Sequence, residues 1–125
     1  MQLISVNPRT STPDRGRLRQ RFACGRCHPA AVHQRPDPAD GHVPAGIDEQ
    51  CRLVWSNVTA ALAEAEMGVT NLVKVTTFLS NRFYSTANTA VRTQVLGGHQ
   101  PALPVIVTAI FDPAWLLEIE AIAAA

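Results

Sequence analysis

The sequence predicts an α+β fold, a mixed sheet with helices packed on one face, from three observations. First, apolar residues recur at helical spacing after Ile47: Cys51, Val54/Trp55, Val58, Ala61/Leu62 and Ala65. Second, "NLVKVTTFLS" alternates as a half-buried strand does and is rich in β-branched residues. Third, the elements follow one another as α-β-α-β-β, an order that places the helices on one side of a mixed sheet.

Each element has its own signals. Asp48 is positioned to cap the first helix, which should end near Glu66–Gly68. In the strand that follows, Val73, Val75, Thr77 and Leu79 share one face and Lys74, Thr76 and Phe78 the other. "STANTAVRTQVL" returns to helical spacing through Ala87, Ala90/Val91 and Val95, and Gly97-Gly98 closes it. Two strands complete the chain, "VIVTAIF" (105–111) and, after the Asp112-Pro113 turn, "LLEIEAIA" (116–123).

The 125 residues fit one domain, and a hydrophobic content of 46% is enough for a core. No apolar run approaches the roughly 18 residues of a membrane span. The first residues, Met1 to Ser5, lack the basic-then-apolar layout of a secretory signal, so a cytoplasmic location with reduced thiols is expected. Three cysteines, an odd number, also argue against a closed disulfide framework.

The net charge of +1 conceals an asymmetry: residues 1–40 carry seven basic and three acidic side chains, residues 41–125 four and seven. Arg, Pro, Ala, Gly, His and Cys dominate 8–44, with no sustained apolar period. The chain thus divides into residues 1–8, which can begin a first strand, an aberrant or disordered Arg/Pro-rich segment at 9–40, and a domain at 41–125. A basic arm of this kind can bind nucleic acid. Only Phe22 is there to stack on bases, so that reading ranks last.

Cys24-Gly25-Arg26-Cys27-His28 is a C-x-x-C-H string, the pattern of covalent haem attachment. Haem would need export and a second axial ligand, and Met67 is the only methionine besides Met1. Cys24, Cys27, His28 and His33 are permissible zinc ligands, but their spacing is tight and a structural zinc needs a fold around it. The string reads as incidental, and neither cofactor nor metal is expected.

Glu118 and Glu120 stand two apart on a strand, so both face one side, roughly 7 Å apart. Such a pair can share acid–base work, though spacing alone favours a solvated strand face. Asn88 by itself reads as an exposed helix residue.

Gln50, Asn57-Val58 and Leu62 on the first helix, the strand "LVKVTTFL", Asn88, Pro101-Ala102 and the terminal "EIEAIA" together resemble the Rid (YjgF) family over residues 46–125. The resemblance implies a chorismate-mutase-like α+β fold, a homotrimer, and small-molecule sites in clefts between subunits. It implies hydrolysis of enamines and imines to ammonia and keto acids, with Glu118 orienting the water or proton relay. Asn88, Ala102 and Leu103 would line the substrate site. Deaminating members carry Arg directly after the Pro-Ala pair, where it grips the substrate carboxylate. Leu103 offers neither charge nor donor, so an imino acid would lose that anchor. The expected protein is therefore a metabolite-binding trimer or an altered deaminase.

The family's Tyr-containing and "ISGQ" segments, which precede the first helix, have no counterpart here. If Val32–Pro38 are encoded GTT CAT CAG CGG CCA GAT CCC, reading one nucleotide later gives Phe-Ile-Ser-Gly-Gln-Ile. CGA CTA CGC CAG CGC for Arg17–Arg21 likewise becomes Asp-Tyr-Ala-Ser. Residues 9–39 then read as out-of-frame translation between two compensating slips. Losing two N-terminal strands would expose a sheet edge and apolar helix faces, giving a chain of marginal stability. Sequencing the source DNA for Ser5 to Gly46 should return the shifted frame; an uninterrupted written frame refutes the slip.

Overall fold

The structure, a computed structural model, describes residues 3–5, 22–24, 30–37 and 40–125. Three N-terminal strands, β1 (Leu3–Ser5), β2 (Phe22–Cys24) and β3 (Ala30–Gln34), precede helix α1 (Ile47–Glu64). Strand β4 (Leu72–Leu79), helix α2 (Ser85–Leu96), β5 (Val105–Val107) and β6 (Leu117–Ala123) follow, with one-turn 3₁₀ helices before β4 and before α2. The strands form one sheet in the order β1-β2-β3-β6-β4-β5. The β4–β5 pair is parallel and the others antiparallel, so the sheet is mixed as expected.

Its inner face is apolar. Leu117, Ile119, Ala121 and Ala123 of β6, Val75 and Leu79 of β4, and Val32 of β3 pack with Val54, Trp55, Val58 and Leu62 of α1 and Val91 and Leu96 of α2. The β6 alternation is clean: every second residue from Leu117 to Ala123 is buried, and Glu118, Glu120 and Ile122 face the other way. Both glutamates thus share one face.

The structure corrects several sequence-based expectations. Gly46, not Asp48, is the N-cap of α1, and Asp48 and Glu49 sit in the first turn, where carboxylates favour the helix dipole. Val73 does not join the inner face; a register shift between Leu72 and Lys74 leaves it 54% exposed and turns Leu72 inward instead. β5 is shorter than "VIVTAIF", and Pro104 stands just ahead of it at the sheet edge, where the missing N–H leaves no ladder position empty.

The largest difference lies in the N-terminal third. β2 and β3 fall within the stretch read as disordered, and β3 alternates buried and half-buried residues from Ala30 to Gln34. Its hydrogen-bonded partner is β6, and β2 and β1 extend the sheet beyond it. The β6 edge, expected to be bare, is therefore covered. Cys27, His28 and the arginines from Arg9 to Arg26 lie outside the described residues. Among the described residues, no helix is long and apolar enough to cross a membrane.

Two buried or half-buried amides on α1 tie loops to the sheet. Gln50, 1% exposed, donates through Nε2 to the carbonyls of Pro44 (2.7 Å) and Ala114 (2.8 Å) and accepts from Leu116 N–H (2.8 Å). Asn57 Nδ2 donates to the carbonyls of Arg35 (3.2 Å) and Asp37 (3.3 Å) just after β3.

Glu66, just past the end of α1, has φ of 59°, a left-handed conformation that a side chain disfavours. Glu66→Gly should therefore raise stability by about 0.5–1 kcal/mol, read as a higher denaturation midpoint. Cys51 is fully buried, and burial, aided by Asp48 and opposed by Arg52, pushes its thiol pKa up from 9.0 to about 11. Between those pH values the folded chain keeps a proton that the unfolded chain releases, so stability falls as pH rises. That window should cost roughly 2–3 kcal/mol. Denaturation midpoints across it should fall more steeply for the wild type than for Cys51→Ala.

Candidate functional site

Glu118 is set by its place on the central strand β6. It faces away from the helices, with Phe78 of β4 as its partner on one side. On the other side β3 pairs Gln34 with Ile119 and His33 with Glu120, so the chain leaving β3 carries Arg35 alongside Glu118. His33 is then the diagonal neighbour of Glu118, within reach of a long side chain. His33 Nε2–H donates to Glu118 Oε2 at 2.8 Å, because an ionised carboxylate can only accept. Arg35 Nε lies 3.6 Å from Glu118 Oε1, an ion pair longer than a good hydrogen bond. The Arg35 guanidinium carbon sits 4.9 Å from the centroid of the Trp115 ring, a cation–π contact.

The cluster is neither fully buried nor open. The side chains of Glu118, Arg35 and His33 are 14%, 26% and 36% exposed. Charge–charge interactions there are stronger than at an open surface, yet the groups remain reachable. The loops carrying the Arg35–Trp115 stack are both held by α1. Asn57 fixes the backbone at Arg35, and Gln50 fixes the carbonyl before Trp115 and the amide after it. Asp112 completes the second loop by accepting from Ala114 N–H at 2.8 Å through Oδ1.

The other residues named from the sequence lie elsewhere. Glu120 is half-buried on the same face as Glu118, opposite His33 on β3 and Thr76 on β4. Asn88 is not the exposed residue its helix position suggests. It is 1% exposed, and neither its amide nitrogen nor its amide oxygen has a hydrogen-bond partner among the described residues. An amide so placed is costly unless something else satisfies it. Ala102 is exposed and runs beside β4, accepting from Val75 N–H (2.8 Å) and donating to Val73 C=O (3.0 Å). Leu103 is half-buried and packs against the core. Within one chain, then, Asn88 belongs to the helical layer and Glu118 to the opposite face of the sheet.

Arg35 and Trp115 were missed as site residues, and His33 was named only as a zinc-ligand candidate. The signal was present in "AAVHQR", where His33 and Arg35 stand two apart, but it is only a few residues long. Trp115 carried no signal, since its contact with Arg35 spans most of the chain. Among the described residues no three His, Cys, Asp or Glu side chains gather as a metal site requires.

A sequence model of the endoribonuclease L-PSP family matches residues 33–125. The Escherichia coli TdcF structure with bound serine is 27% identical, with a TM-score of 0.73, covering 78% of this chain and 80% of that one. A Rid-family protein of Yersinia pestis, YyfA, is 24% identical, with a TM-score of 0.86, covering 99% of this chain and 100% of that one. Among curated proteins nothing matches the chain. With the family model spanning most of its length and Rid-type structures sharing its fold, the chain belongs to the endoribonuclease L-PSP (YjgF/Rid) family.

Proposed function

We propose that this protein binds a small metabolite in a cleft between subunits of a homotrimer, with Glu118 as the polar centre of the site. The observation that carries the reading is the Glu118 carboxylate, 14% exposed and flanked by His33 and Arg35 on the sheet face that the helices leave uncovered. Phe78 and Ile106 pair on that same face, and Ile122 adds an apolar side chain further along it, opposite Lys74. Apolar groups around a charged centre suit an interface with another copy of the chain. Glu118 stands on the sheet face away from the helices, whereas Asn88 is 1% exposed within the helical layer, so the site is assigned to Glu118 and its neighbours. Serine in the similar TdcF structure fits a ligand of this size.

Rapid imine deamination is disfavoured. Leu103 packs against the core and offers neither charge nor donor, and an uncompensated substrate carboxylate is costly to bury. The alternative, an altered deaminase, keeps Glu118 as the group that orients water. A nucleic-acid arm spanning Arg9–Arg35 is the remaining reading, and salt-sensitive RNA binding lost on deleting residues 1–40 would favour it.

Ammonia release from freshly generated 2-iminobutanoate separates the first two readings. The wild type should turn over slowly, and Glu118→Gln should remove what activity there is. Leu103→Arg should raise kcat/KM at least about 10-fold if the cleft is otherwise complete, the value of one charge-assisted hydrogen bond. Fast wild-type turnover, insensitive to Glu118→Gln, would overturn the assignment.

A further inference from the structure

We propose that the groove between α1 and α2 binds a small neutral aromatic ligand through a carbonyl or ring-nitrogen acceptor, at a site separate from Glu118. The inference goes beyond the metabolite-binding reading and does not depend on it. Glu118 faces away from the helices, and the groove lies between them.

The helical period builds the groove. Positions 52, 55 and 56 fall on one strip of α1, and 91, 94 and 95 on one strip of α2. Where the strips face each other a cavity of about 290 Å³ remains. That volume is at the lower end of small-molecule pockets and suits a single substituted ring. Trp55 and Val91, 1% and 2% exposed, are the most buried part of its lining, with half-buried Val95 beside them. Arg52, Ser56 and Gln94 form an exposed polar rim, and no acidic side chain lines the groove.

The Trp55 indole N–H is what points to a ligand. It is buried and has no hydrogen-bond partner among the described residues. An indole nitrogen can only donate, so an acceptor is what this position lacks. A buried donor left unmet is costly, and a ligand carbonyl would remove that cost. Access to the N–H requires the two rim side chains to part. Arg52 Nη1 donates to Gln94 Oε1 at 3.4 Å, longer than a good hydrogen bond, and both residues are exposed, so the contact yields at little cost.

The lining also sets the ligand's class. Trp55, Val91 and Val95 offer apolar surface on which an aromatic ring packs well, and Arg52 at the rim can lie over the ring's outer face. A neutral acceptor fits better than an ionised one. The Arg52 charge is exposed and screened by water, so an anion held at the buried end would lose its hydration without a close counter-charge.

The test uses the full-length protein and three probes of similar shape. Acetophenone carries the neutral acceptor, isopropylbenzene lacks it, and benzoate replaces it with a charge. Trp55 and Trp115 are the two tryptophans, so a ¹H–¹⁵N spectrum holds two indole N–H signals, which Trp115→Phe assigns. Acetophenone should move the Trp55 signal saturably and bind at least about 3-fold more tightly than isopropylbenzene, the value of one neutral hydrogen bond. Benzoate should bind more weakly than acetophenone. Ser56→Phe, at an exposed position, should fill the rim and abolish acetophenone binding, and Glu118→Gln should leave it unchanged. Equal affinity for acetophenone and isopropylbenzene overturns the role of the acceptor, and preference for benzoate overturns the neutral class. Binding that survives Ser56→Phe, or is lost in Glu118→Gln, places the ligand elsewhere and overturns the site. A Trp55 signal that no probe moves overturns the proposal outright and leaves the Glu118 reading as it stood.

Discussion

The structure depends on the pairing of β6 between β3 and β4. This one strand joins the N-terminal strands to the β4–β5 pair, so without it the sheet would fall into two pieces, each too small to hold a core. Its alternation does two tasks at once. Leu117, Ile119, Ala121 and Ala123 form an unbroken row of buried apolar side chains, while Glu118 and Glu120 are carried to the opposite face by the same two-residue period. A slip of one residue would bury both carboxylates under the helices and expose the core row, at prohibitive cost, so core packing itself fixes the register that places Glu118.

Register alone does not make a site. The groups around Glu118 come from loops, and loops wander unless their backbone polar groups are satisfied. Here the satisfaction comes from α1. Gln50 uses all of its amide on the segments before and after Trp115 and on the approach to the helix, and Asn57 takes the carbonyls that follow β3. These two amides let the helix on one side of the sheet organise a charged cluster on the other.

The legibility of the chain followed the range of its interactions. The helix and strand periods from Ile47 onward were readable because each element is long enough to repeat its pattern, and α2 agreed with its predicted span to the residue. The lone misplacement within β4, at Val73, arose from a register irregularity that depends on the neighbouring strand. β3 escaped notice because five residues give too few repeats to distinguish a strand from chance. Its place was decided by β6, which offers a ladder of backbone partners whatever the composition of the strand that pairs with it.

The sequence by itself determined the α+β class, the order of elements from α1 to β6, the inward row of β6 and the shared face of Glu118 and Glu120, since all of these are periodic and local. Only the tertiary structure decided that the N-terminal third contributes strands, that Asn88 is buried, and that His33, Arg35 and Trp115 surround Glu118. Those outcomes follow from contacts between residues as far apart as 33 and 118, and nothing in a local pattern encodes which distant side chain will stand beside a given carboxylate.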